Sequence, residues 1–317
     1  MPGRPDPAAR DFQFEKSLRR MARAARAKGA PLAFCTLPNN REDLAPHSAL
    51  PFEFPEFREA WLLLENGKRA EAAMALRTFL ARTLESDVEA QARFYLGRAT
   101  DGEESRSAYA RAADLDPGEQ HCPPRRNTLI RRVAAEEGAL LVDLDAAFSA
   151  LPDGRRFGVF YDAVHWVPEL NPFAAAAIAE SVATALGLDA AAARAWSGRA
   201  REGRRDEDYW RAAVVAGAQS GARGIEAADA LLRRWPKDAG RLAQEKEKFD
   251  ARAAEVRNIG AAGAAAGTWW PSLLRSLAVA QRRRGRFDEA KALLERARRD
   301  DPRGDEAGLG FALGDKR

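Results

Sequence analysis

Twice in this chain a helical stretch runs through a glycine into an apolar run too short for another helix, and this order restricts the fold more than any other feature. Residues 12–28 place Phe14, Leu18, Met21, Ala22 and Ala25 at helical spacing, with Gly29 as the stop. PLAFCTLPNN follows, an apolar run closed by Pro38 and two asparagines, which reads as a buried strand ending in a loop. The pattern returns where the helical stretch 127–137 stops at Gly138. There ALLVDL (139–144) gives a second buried strand, with Asp143 and Asp145 near its exit. A further helix begins at Asn171-Pro172, a good capping and first-turn pair, and runs to Gly187. Helices alternating with short apolar strands predict a parallel α/β layer.

Between these pieces, from Pro51 to Pro117, no strand pattern occurs. AWLLLENGKRAEAAMALRTFL sets Ala60, Gly67, Ala72, Leu76 and Phe79 at the spacing of a helix–turn–helix repeat of about 34 residues. QARFYLGRATDGEESRSAYARAADLDP is a second copy, shortened at its turn. SLAVAQRRRGRFDEAKALLERARRDDP closes the chain with Leu277, Ala278, Gly285, Ala290, Leu294, Ala297 and Pro302 in the expected places. The stretch Asp208–Pro236 matches more weakly, at Ala212, Ala228, Leu231 and Pro236. NIGAAGAAAG (258–267) reads as a hinge or a frayed helix end. These segments resemble tetratricopeptide repeats, whose hairpins bury their apolar faces only against a neighbour and are therefore expected to stack. The expected organisation is an α/β domain from 1–50 and 118–190, inserted repeats at 51–117, and a helical-repeat domain at 191–317.

Composition narrows the function classes. At 317 residues the chain has room for one large domain or two ordinary ones, and 46% hydrophobic with 31% charged residues exclude a disordered tail. The net charge is only +4, and the arginines alternate with acids, as in REGRRDEDYW, so they read as solvated helix faces. No aromatic residues interleave with a basic strip, so no nucleic-acid partner is expected. The two cysteines, Cys35 and Cys122, form no CxxC pair, which argues against a zinc site or a disulfide framework. No apolar run reaches membrane-spanning length, and MPGRPDPAARDFQFEK lacks the apolar core of a secretory signal. The expected location is cytoplasmic as the sequence stands, or the cell envelope if residues upstream of Met1 carry an anchor.

The residue types that carry chemistry meet in FYDAVHW. Asp162 stands three residues before His165, one of three histidines, a spacing not rare by chance. The context is what gives it weight: a short extended stretch precedes it and a capped helix follows, which puts the pair on a loop at the edge of the α/β layer. An aspartate there can accept the imidazole Nδ1 proton and leave Nε2 to take a hydroxyl proton. Equally, the pair can serve stability alone. TLPNNREDLAP places Asn39 and Asn40 directly after the first strand, where an amide can donate to a developing oxyanion or simply make a turn.

Together these pieces resemble the SGNH (GDSL-type) hydrolase family, and more closely its members with tetratricopeptide repeats inserted after the Asn block. The matching features are TLPNNREDLAPHS, the repeat insertion, RRNTLIRRVAAEEGALLVDLDAAF and FYDAVHW, within about residues 12–187. The resemblance implies a three-layer α/β/α (flavodoxin-like) domain, here without its N-terminal strands. It also implies His165 as general base, Asp162 as its orienter and Asn40 as oxyanion-hole amide, with Asn39 as the alternative. The family's Gly-Asp-Ser nucleophile block and its following Gly block are absent from the sequence. Ser48 has no strand-to-helix elbow around it and is not the nucleophile. The serine is therefore expected from upstream sequence or another chain, or the chain is a degenerate fragment. The implied reaction is ester hydrolysis or acyl transfer on an acyl ester such as an acylated saccharide, without metal or nucleotide cofactor, and the chain by itself is expected to be inactive. The competing expectation is a scaffold that binds a protein partner through its repeats.

Overall fold

Proline stands in the first turn of α2 (Pro55–Glu65), α6 (Pro124–Glu137) and α8 (Asn171–Ala185), among other described helices. It has no N–H to leave unsatisfied there, and its fixed φ suits the helix. The structure, a computed structural model, describes residues 7–116, 118, 122–152, 154–157, 159, 160, 162–167, 170–190, 213, 216, 221–234 and 269–300. Among these the chain is mostly helical, with one two-stranded parallel sheet. None of the described helices is long and apolar enough to cross a membrane. The chain divides into two compact units.

The first unit joins residues 1–39, 120–154 and 166–203. Helix α1 (Pro7–Ala27) and α6 lie against each other, and α6 lies against β1 (Ala33–Cys35) and β2 (Leu140–Val142). Leu18, Ala22, Phe34, Ile130, Val133 and Ala134 are their buried core. The register pairs Ala33 with Leu140 and Cys35 with Val142, and the Thr36 N–H extends it by donating to the Val142 carbonyl at 3.1 Å. The expected six-residue strand at 139–144 is shorter than its apolar run, for a local reason. Asp143 accepts the Ala146 N–H at 3.1 Å and caps α7 (Leu144–Ser149), so the chain turns into helix straight after Val142. Arg131, bound to both Asp143 oxygens at 2.7 and 2.8 Å, holds this carboxyl near 2, well below its ordinary value. Thr36 Oγ1 donates to Asp143 at 2.8 Å and accepts the Asp145 N–H at 2.9 Å, tying the two strand ends together.

The three-layer α/β/α expectation is corrected here. Two strands of three residues each are the sheet among the described residues. Pro38 and the Asp143 cap follow closely on the two strands and keep each of them short.

The second unit joins residues 40–119, 155–165 and 204–317. In it α2 and α3 (Arg69–Leu80) form one hairpin, and α4 (Ser86–Ala99) and α5 (Gly102–Leu115) the next. Helix α9 (Gly221–Arg234) packs on α10 (Trp269–Arg283), which pairs with α11 (Phe287–Asp300). The hairpin turns of α2–α3 and α10–α11 each contain a glycine of positive φ, Gly67 at 75° and Gly285 at 73°, a conformation that side chains with a Cβ resist. Phe57, Trp61, Ala72, Leu76, Phe79 and Tyr95 fill the core of the first hairpins. Leu231, Trp270, Leu273 and Leu277 fill that of the last, together with Leu44, Phe157 and Ala163. Arg98 of α4 reaches Glu226 and Asp229 of α9, and Arg283 of α10 bonds Glu226 and Glu65. The inserted helices and the C-terminal segment from residue 204 on, set apart on sequence, thus fall in one unit. Ala212, Pro236, Pro302 and NIGAAGAAAG lie outside the described residues.

Candidate active site

The described residues of 155–165 carry no helix, and buried side chains hold them in place. Phe157 and Phe160 pair in an isolated bridge, and both, like Ala163, are buried. These residues and Val159, also buried, fix the backbone and leave Asp162 and His165 between and beyond them.

Asp162 uses both carboxylate oxygens on its own loop. Its Oδ1 accepts the backbone N–H of Val164 at 2.8 Å and of His165 at 2.6 Å, closing a turn. Its Oδ2 faces His165 Nδ1 at 2.6 Å. A carboxylate on Nδ1 places that proton there and leaves Nε2 as the basic nitrogen. The His165 side chain is 48% exposed and that of Asp162 18%, so the base faces solvent while its partner is sheltered.

Asn40 joins this loop through the backbone, its N–H donating to the Ala163 carbonyl at 3.0 Å. Its side chain is buried: Oδ1 accepts the Asp43 N–H at 3.2 Å, while Nδ2 has no hydrogen-bond partner. A buried amide donor without an acceptor costs free energy, and the oxygen of a ligand or a water would satisfy it. Asn39 is employed elsewhere, its Nδ2 donating to the Cys122 carbonyl at 2.7 Å in the first unit. Of the two asparagines it is therefore Asn40 that the structure brings to the Asp162–His165 loop.

The Ser48 hydroxyl is engaged in hydrogen bonds away from this loop. Its Oγ donates to the Asp87 carbonyl at 3.1 Å and accepts Gln91 Nε2 at 3.2 Å. Cys35 is half-buried and Cys122 more so, its thiol pushed up to about 11 by burial. The described residues hold no group of three or more potential metal ligands.

A second histidine–aspartate pair went unseen in the sequence. His47 Nδ1 lies 3.0 Å from Asp116 Oδ2, and Asp116 Oδ1 also accepts the backbone N–H groups of His47 at 3.0 Å and Gly118 at 2.8 Å. Burial pushes the Asp116 carboxyl up, but these bonds outweigh it and bring it down to about 2. The two residues are 69 positions apart, and no local spacing signals them. No protein-family model matches this chain, and neither a curated protein nor a solved structure does.

Proposed function

We propose that Asp162, His165 and Asn40 are the acid–base and oxyanion-binding part of a serine-type acyl-ester hydrolase or acyltransferase site. It is of the SGNH (GDSL) kind, in a chain that carries tetratricopeptide-like helices. One observation carries the reading: the 2.6 Å Asp162–His165 contact sits on a loop bound to Asn40, whose buried Nδ2 has no acceptor. In this reading His165 Nε2 takes the proton of an attacking hydroxyl as its oxygen bonds to the acyl carbon. Asp162 steadies the resulting imidazolium, and Asn40 donates to the oxyanion. Collapse expels the leaving alcohol, which takes the proton back from His165. The order of the Asn loop, helical insertion, helix–strand unit and Asp-x-x-His block supports the family assignment.

Because the sequence holds no Gly-Asp-Ser block, the test supplies the hydroxyl from outside. The full chain is incubated with p-nitrophenyl butyrate and methanol, and methyl butyrate is measured. The expected result is methanolysis that falls ~10²–10⁴-fold in His165→Ala and ~10²–10³-fold in Asn40→Ala. Equal methanolysis by the wild type and His165→Ala ends the reading.

The second reading is a non-catalytic scaffold that binds a protein partner through its hairpins. The exposure of Met74 at 65% and Phe287 at 63% on those hairpins favours it.

A further inference from the structure

The Asn40 loop is polar and buried at once, with Asn39, Asn40, Arg41 and Asp43 each less than a tenth exposed. Such groups stay buried only where bonds replace lost water, and in residues 40–43 those bonds converge on Asp43. Its N–H donates to Asn40 Oδ1 at 3.2 Å, its Oδ2 accepts the Phe157 N–H at 2.7 Å, and its Oδ1 accepts Arg233 at 2.8 Å. Glu42 repeats the link, donating its N–H to the Arg155 carbonyl at 3.4 Å and pairing with Arg156 at 2.6 Å. Residues 40–43 and 155–163 are thus stitched together, and the Asp43 carboxylate is the stitch that also reaches a helix.

Arg233 stands in the last turn of α9 and approaches Asp229 at 3.5 Å. Asp229 in turn binds Arg98 of α4 at 3.3 Å and Arg284, just beyond α10, at 2.5 Å. A continuous set of charges therefore runs from three helices to the backbone of the Asn40 loop. Burial pushes the Asp43 carboxyl up, and Arg233 and the Phe157 N–H oppose that push. Without Arg233 the carboxylate has one backbone donor and no neutralising partner bonded to it.

We propose that the Arg233–Asp43 pair is a positioning device by which the helical repeats set the Asn40 amide against the Asp162–His165 loop. The catalytic consequence rests on the acyl-ester reading above; the mechanical coupling does not. Arg233 and Asp43 are positioning residues, and neither is assigned contact with a reacting atom.

The test uses the full chain and three variants: Arg233→Ala, Arg233→Lys, and Arg77→Ala as a control in an exposed ion pair of the same unit. Amide hydrogen exchange of Asn40 and Phe157 is expected to quicken about tenfold in Arg233→Ala. It should return most of the way in Arg233→Lys, stay unchanged in Arg77→Ala, and leave α2–α5 unaltered. Methanolysis in Arg233→Ala is expected to fall about tenfold or more through kcat rather than KM, as misplacement of a catalytic group does. Unchanged exchange in Arg233→Ala, or a uniform rise across the chain, overturns the positioning role. So does methanolysis that survives Arg233→Ala intact, which leaves the acyl-ester reading standing. Localised exchange in a wild-type protein without His165-dependent methanolysis upholds the positioning and removes the acyl-ester reading instead.

Discussion

His47–Asp116 and His165–Asp162 are the same two side chains in opposite settings. The first joins residues 69 positions apart, with the aspartate side chain only 2% exposed and three donors around it. The second joins residues three apart, with the imidazole 48% exposed. A long-range buried pair closes structure, because removing its carboxylate strands the buried donors that met on it. A local, half-exposed pair adds little to stability and leaves its base within reach of a ligand. The contact chemistry alone does not distinguish a fastener from a base; burial and sequence separation do.

The sharpest way to break this contrast is to remove each aspartate. Asp116→Ala is expected to lower unfolding free energy by about 3 kcal/mol, and Asp162→Ala by about 1 kcal/mol or less, read from urea denaturation. Equal losses would make the two pairs structurally equivalent.

Acid separates them next. The folded Asp116 carboxyl lies near 2, below its ordinary 3.8, so its stabilisation is present above pH 3.8 and is lost as pH falls through 2. A loss of about 2 kcal/mol between pH 4 and pH 2 is expected from this group, and Asp116→Asn should remove that share of the slope.

Smaller still is the effect of crowding the fastener. A Cβ on Gly118 would lie 1.9 Å from His47 Nδ1, so the ring must move. Gly118→Ala is expected to cost about 1–2 kcal/mol. A neutral Gly118→Ala would show that the His47 ring has room to give.

The smallest change in stability is expected where the chemistry is placed. His165→Ala should alter unfolding free energy by no more than about 0.5 kcal/mol while abolishing methanolysis. A large destabilisation would reassign that pair to structure.

Legibility followed distance along the chain. Phe14, Leu18 and Ala22 announced α1 by their spacing, and Gly138 announced the end of α6, because both are local devices. The Asp162–His165 contact was legible for the same reason, three residues being short enough for one turn to set. The strand at 139–144 was read too long because Asp143 serves the following helix, a competition that apolar periodicity does not register. Asp43 looked like one charge in a polar loop, since its partner Arg233 is 190 residues away. The resemblance set Asn40 before Asn39, whereas the bonds that part the two, to the Ala163 and Cys122 carbonyls, are ones sequence spacing does not bring near.

The fastener has one more consequence. His47 and Gly118 meet on a single carboxylate, so the helices between them begin and end at one point. A segment whose ends are already pinned behaves as a cassette: helical pairs can be added to or removed from it while its two attachment points stay put, at an entropic cost that grows only slowly with length. The reach of a surface on those helices can therefore lengthen or shorten, provided Arg98 of α4 keeps its bond to Asp229 on the way to the Asn40 loop.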